Sequence, residues 1–102
     1  MTTLHEYLAK RLEKWPLYSQ VNQYDPFVGA RLYSTYSDAV WYVTEYDPAE
    51  RIAYGYVMKT GEKDRWVHIW IDLMEENRVA GGFKAICADE NFVPTPFVRL
   101  SA

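Results

Sequence analysis

Apolar residues at Leu4, Tyr7, Leu8, Leu12 and Trp15 recur at three- and four-residue intervals among polar ones, which is the spacing of one helix face. Thr3 followed by Glu6 has the form of a capping box, and Pro16 bars continuation. The pattern therefore predicts a long amphipathic helix over residues 3–15. From Leu17 to Asp25 no period survives, and Asp25-Pro26 reads as a turn before the first strand.

Beyond that turn the period changes to two. Phe27 to Ser34 alternates Val28, Ala30 and Leu32 with Phe27, Arg31 and Tyr33. Val40 to Tyr46 alternates Trp41, Val43 and Glu45 with Val40, Tyr42, Thr44 and Tyr46. Ile52 to Met58 and Trp66 to Ile71 follow, the latter setting Val67, Ile69 and Ile71 against Trp66, His68 and Trp70. The connectors Ser37-Asp38, Asp47 to Glu50 and Thr60 to Asp64 are short and rich in turn formers, so consecutive strands pair antiparallel. Asp72 is placed to cap a short helix over residues 73–78, and Gly81-Gly82 to stop it. A last strand over Phe83 to Ala88 rejoins the sheet, whereas Pro94 and Pro96 restrict Phe92 to Arg99 to an extended edge segment.

These elements predict an α+β fold: an antiparallel meander sheet of four to five strands, a long N-terminal helix packed on one face, and a short helix after the fourth strand. Residues 1–102 form one domain, with the sheet across 27–88 and an extended C-terminal segment over 89–102. The aliphatic Val28/Ala30/Leu32 and Val67/Ile69/Ile71 sides have the stronger claim to the long helix. The opposite face collects Tyr33, Trp66, His68 and Trp70, together with the Trp41 or the Tyr42 set according to register. The short helix and C-terminal segment would cover that face, or a partner would.

At 102 residues, with 49% hydrophobic and 17% aromatic positions, the chain suffices for one core without a metal or disulfide. Its formal charge of -3 is the wrong sign for holding duplex DNA by counterion release. One cysteine and two histidines are too few for a structural zinc site, so neither metal nor cofactor is expected. Residues 1–10 contain no apolar signal-peptide core and no apolar run approaches membrane-spanning length, which predicts a cytoplasmic protein with a reduced Cys87. Phosphate-binding glycine loops, H-E-x-x-H and G-x-S-x-G are all missing from the sequence.

The segment Trp41-Tyr42-Val43-Thr44-Glu45-Tyr46-Asp47 resembles the W-Y-x-T-E-[YF]-D core of a small bacterial family of unknown function carried on plasmids, integrated elements and phages. The resemblance continues through Tyr54-Gly55, the strand and Leu-Glu-rich helix over Trp66 to Glu76, and Phe92-Val93-Pro94-Thr95-Pro96. It departs at His68 to Asp72, where members commonly carry Gly-Tyr-Phe-Ser. What it implies is a mobile-element accessory protein, without catalytic residues to transfer.

Among candidate groups, Glu45 and Asp47, with Glu50, are carboxylates near a strand end that would suit a metal or acid-base chemistry. The structural alternative is favoured: Glu45 pairs with Arg31 or Lys59, and Asp47-Pro48 opens a turn. His68, set between two tryptophans, is a general base only if it has a partner, while His5 falls on an exposed helix position. Cys87 reads as a buried apolar residue, with no neighbour to activate its thiol. Most of the rings Tyr33, Tyr42, Tyr54, Tyr56, Trp66 and Trp70 belong to a core, and any left exposed are suited to anchoring an interface.

The leading expectation is a noncatalytic protein-binding accessory protein of a phage or other mobile element. Its partner would be a host or element-encoded complex, in the sharpest form a CRISPR or restriction complex that it inhibits through an acidic face. The expected contacts are Tyr42, Glu45, Asp47, Trp66 and Trp70. Two alternatives stand beside it: a small-ligand domain or enzyme using Arg31, Glu45 and His68, and single-strand nucleic-acid binding on the aromatic face.

Overall fold

The two-residue period is realised as a five-strand antiparallel sheet. In a computed structural model describing residues 3–101, the chain runs α1 (Leu4–Arg11), β1 (Phe27–Val28), β2 (Ala30–Ser34), β3 (Val40–Asp47), β4 (Ile52–Met58), β5 (Arg65–Trp70), α2 (Ile71–Glu76), β6 (Ile86–Ala88), β7 (Thr95–Pro96) and α3 (Val98–Ser101). The spatial order β5-β4-β3-β2-β6 contains the expected meander, with β6 added beside β2. A second, two-strand sheet pairs β1 with β7. The fold is α+β. Among the described residues no helix is long and apolar enough to cross a membrane.

The capping box forms as expected: the Thr3 hydroxyl accepts the Glu6 N–H, and the Glu6 carboxylate accepts the Thr3 N–H. The long helix over 3–15 does not form, because α1 ends at Arg11. Leu12 leaves the helical region, and the Trp15 carbonyl is taken by the Tyr46 N–H at 3.0 Å, which draws the chain off the helix axis. Pro16 reinforces this by disfavouring helical geometry at Trp15. Leu12 and Trp15 still pack inward, so the apolar stripe is used although its last third is not helical.

The core lies between one sheet face and the helices. Leu4, Tyr7, Leu8 and Leu12 meet Ala30 and Leu32 of β2, Val43 and Tyr46 of β3, Ala53 of β4 and Ile69 of β5. Each fully buried leucine contributes roughly 2 kcal/mol from apolar transfer alone. The Tyr7 hydroxyl accepts the Arg31 N–H and donates to the Asp89 carbonyl, fixing α1 over β2.

Several boundaries depart from expectation for identifiable reasons. The strand predicted from Phe27 to Ser34 breaks at Gly29, because residues 27–28 pair with β7 in the second sheet while residues 30–34 stay in the main sheet, and the Gln20 side chain holds the N–H and the C=O of Phe27. The short helix starts at Ile71 and ends at Glu76, not 73–78. The Ile71 N–H is taken by the Arg51 carbonyl, and Asp72, instead of capping, sits in the first turn and pairs with Arg51 at 3.2 Å. Gly81-Gly82 do not stop that helix; with φ of 88° and 80° they form the turn of a small loop closed by the Arg78–Lys84 bridge. That loop delays the last strand, expected from Phe83, to Ile86. The C-terminal segment is extended only in part, since β7 is followed by the helical turn α3.

Candidate functional site

Register resolves which residues share the second face. Arg31, Tyr42, Tyr56 and Trp66 stand in one row across the sheet, which puts the Tyr42 set there and Trp41 on the helix side. A β-bulge between Val43 and Glu45 then changes the pattern. Val43 opposes Gly55 and Glu45 opposes Tyr54, leaving Thr44 as the extra residue. After the bulge Tyr46, expected beside Tyr42, turns into the core, while Glu45, expected beside Val43, turns to the aromatic face.

Glu45 is there 1% exposed. The pairings expected for it do not form: Arg31 binds Asp89 at 3.0 Å, and Lys59 binds Glu62 at 3.2 Å. Its oxygens instead accept two backbone amides of the 17–25 loop, Tyr18 N–H at 2.6 Å and Gln20 N–H at 2.9 Å. Gln20, itself buried, continues the staple by donating to the carbonyls of Phe27 and Thr44 and accepting the Phe27 N–H. Charge-assisted bonds of this kind are about twice as strong as neutral ones. They hold Tyr18 at a φ of 71°, a left-handed conformation costing about 1–2 kcal/mol in a residue with a side chain.

The loop and the C-terminal segment, rather than the short helix, cover the aromatic face. Helix α2 packs beside α1 on the other side, where Glu75 accepts the Leu4 N–H. Phe97 meets Tyr56 and Trp66 with ring centroids 4.9 Å from each, Phe92 approaches Tyr42, and Trp66 stacks on Tyr54 at 5.6 Å. Between loop and rings lies a cavity of about 300 Å³, bounded by Tyr54, Trp66, Phe97, Tyr24, Gln20 and Glu45 among others. Burial, and then the Glu45 charge, raise the pKa of the Tyr54 hydroxyl.

The five expected contacts separate. Tyr42 and Trp66 are half-buried under Phe92 and Phe97. Glu45 is beneath the loop, and Asp47 is spent on its own turn, accepting the N–H groups of Ala49 and Glu50. Trp70 alone presents a large free surface, at 55% exposure. The set Arg31, Glu45 and His68 shares one sheet face but makes no mutual hydrogen bond. Arg31 is held by Asp89 and lies over Tyr33, while the exposed His68 sits edge-on to Tyr54 and Tyr18. Single-strand stacking needs free ring faces beside a basic groove, yet Trp66 is covered by Tyr54 and Phe97.

Two histidine and cysteine expectations are corrected. His5 is half-buried, its Nδ1 2.7 Å from the Tyr46 hydroxyl, and Cys87 is partly exposed on β6 at the sheet edge rather than buried. Among the described residues no group of three or more histidine, cysteine or acidic side chains is placed to hold a metal ion.

Sequence reasoning missed Gln20, Tyr18 and Phe97. The first two lie in a stretch without periodicity, and only the Phe-Val-Pro-Thr-Pro segment directed attention near the third.

A second concave surface wraps the free edge of β5, the terminal strand of the sheet. This groove of about 430 Å³ has Trp41, Val57, Val67, Trp70, Leu73 and Met74 in its lining and Lys59, Lys63 and Arg65 around it. It shares no residue with the Glu45 cavity. No family model, no curated protein and no solved structure matches this chain.

Proposed function

We propose that the chain is a noncatalytic protein-binding domain working in the cytoplasm as an accessory protein of a phage or other mobile element. In this reading it engages a host or element-encoded complex, such as a CRISPR or restriction complex, and inhibits it. The accessory role rests on the resemblance at Trp41 to Asp47; the binding role rests on the β5 edge. There Trp70 and Leu73, 55% and 67% exposed, flank an apolar groove beside a strand that has a neighbour on one side only. Exposed tryptophan is an effective interface anchor, and a free strand edge supports addition of a partner strand.

The surrounding charges change the expected electrostatics. Glu45 is buried and Asp47 is engaged in its turn, so an acidic face built on them is not offered to a partner. The groove is bordered by Lys59, Lys63 and Arg65, with Glu62 paired to Lys59, and complements an apolar segment with acidic flanks.

The test is affinity capture from nuclease-treated bacterial lysate with wild type, Trp70→Ala/Leu73→Ser and Tyr24→Ala baits, each checked for folding. A complex retained by wild type and Tyr24→Ala and lost with the double variant supports the reading. Retention of the same proteins by all three baits, or by none, overturns it.

A further inference from the structure

We propose that the cavity over Glu45 is a binding site for a methylated ammonium group. It is separate from the β5 groove, and the proposal does not depend on the protein-binding reading.

Size comes first. At about 300 Å³ the cavity lies at the lower end of the range for small-molecule sites, a size that suits a compact head group or one side-chain tip. Its walls come next. Tyr54, Trp66 and Phe97 line it with aromatic carbon, although Trp66 packs between Tyr54 and Phe97, and Tyr24, fully exposed at the boundary, keeps its ring faces open to a guest. Aromatic faces attract cations through the ring quadrupole, most strongly where water is excluded.

The carboxylate supplies the sign. Glu45 is 1% exposed and receives two neutral amide donors, and no lysine or arginine forms an ion pair with it among the described residues. A buried charge balanced by dipoles alone is costly, and each of its oxygens retains acceptor capacity after one hydrogen bond. A cation entering the cavity meets this charge as well as the rings; an anion meets it as repulsion.

The same inventory distinguishes among cations. Calcium takes six to eight oxygen ligands, whereas Gln20 Oε1 is already committed to Phe27 N–H and Glu45 is the cavity's one carboxylate. A primary ammonium brings three N–H donors, more than the acceptor positions left on Glu45 can take, and rings do not supply the rest. Methylation removes those donors and adds apolar contact, which suits walls of this composition. A free quaternary amine and a methylated lysine side chain present this same chemistry.

The experiment is calorimetric titration of the full chain with choline, with a trimethyllysine peptide and its unmethylated counterpart, and with 3,3-dimethylbutan-1-ol, the uncharged analogue of choline. The proposal expects saturable binding of choline or the methylated peptide below about 5 mM, with the uncharged or unmethylated counterpart at least about tenfold weaker. Choline alone identifies a free amine; the peptide exceeding choline by about tenfold identifies a modified lysine. Tyr24→Ala, on an exposed residue, should weaken binding by about tenfold, as should Glu45→Gln if it folds, while Trp70→Ala leaves it unchanged. Absence of saturation by both cations, equal binding of the neutral analogue, or an unaltered Tyr24→Ala overturns the site. Because Trp70→Ala is the neutral control here and half of the disruptive variant at the β5 groove, failure of one proposal is visible apart from the other.

Discussion

Gly55 lies opposite Val43, next to the bulge that turns Glu45 to the aromatic face. A β-carbon there would be 2.5 Å from the Tyr42 carbonyl oxygen and 3.0 Å from Val43 Cα, both backbone atoms of the central strand. Ordinary contacts of this kind lie near 3.5 Å, so Gly55→Ala must separate the strands by roughly 0.5–1 Å. Overpacking costs about 1–3 kcal/mol, and the upper end applies because no flexible side chain is available to yield. Against this, alanine restricts the unfolded chain and returns about 0.4–1 kcal/mol. The clash prevails by about 2 kcal/mol, equivalent to a fall in Tm of roughly 8–16 °C for a domain of this size. Thermal unfolding by circular dichroism, with urea titration to check that the slope is unchanged, measures it. In amide spectra the Tyr18 and Gln20 signals should shift, since their acceptor moves with the bulge. An unchanged or higher Tm would refute the reasoning, because it would mean that the entropic gain outweighs the contact.

Glu45→Ala removes both acceptors of the loop staple and should cost about 2 kcal/mol, chiefly at the buried Gln20 amide, with loss of hydrogen-exchange protection at Tyr18 and Gln20; preserved protection would contradict the staple. Burial pushes the Tyr46 hydroxyl up to about 12. Its folded pKa exceeds its unfolded value, so its contribution is complete below pH 10 and falls by up to about 1.4 kcal/mol per pH unit between 10 and 12. Urea unfolding at pH 9 and pH 11.5 should therefore show a smaller alkaline loss for Tyr46→Phe than for wild type, and equal losses would exclude this origin. Arg51 has a φ of 59° and an ion pair with Asp72 whose side chains are 46% and 62% exposed. Relief of the left-handed strain, about 1–2 kcal/mol, exceeds the loss of such a surface pair and the entropic cost of glycine, so Arg51→Gly should raise Tm by a few degrees, and a lower Tm would show that the pair matters more.

The sheet was legible because strand periodicity is a local property. Ile52–Met58 appears with the expected bounds, and the Val67/Ile69 side faces α1 as its aliphatic character requires. The end of α1 was not legible, since it depends on Tyr46 N–H capturing the Trp15 carbonyl across a long sequence separation. The sequence offers Glu45 as a candidate polar residue, and alternation assigns it the wrong neighbours. Alternation carried through Thr44 places it beside Val43, and no residue in Trp41 to Asp47 announces the bulge. The candidate cavity was illegible for the same reason: it joins an aperiodic loop to Phe97 at the far end of the chain, and such contacts leave no local spacing.

The charge at the cavity follows from how the loop is fixed. Buried charge is in general weak evidence of stability, and an apolar side chain would sit comfortably against Tyr54 and Trp66. Two amides converge on residue 45, however, and both are donors. Glutamine offers one acceptor oxygen and sets its amide nitrogen against the second donor; a carboxylate offers two oxygens. Fixing this loop therefore selects glutamate, and with it a full negative charge beneath aromatic walls. Loop anchoring and cation attraction consequently share one side chain, and substitution of Glu45 alone changes both. Tyr24 separates them, because it lines the cavity and is fully exposed. If Tyr24→Ala weakens cation binding while Tyr18 and Gln20 amide protection stays intact, the cavity holds its guest through a wall that plays no part in anchoring the loop. If both remain unchanged, loop anchoring alone accounts for the buried glutamate.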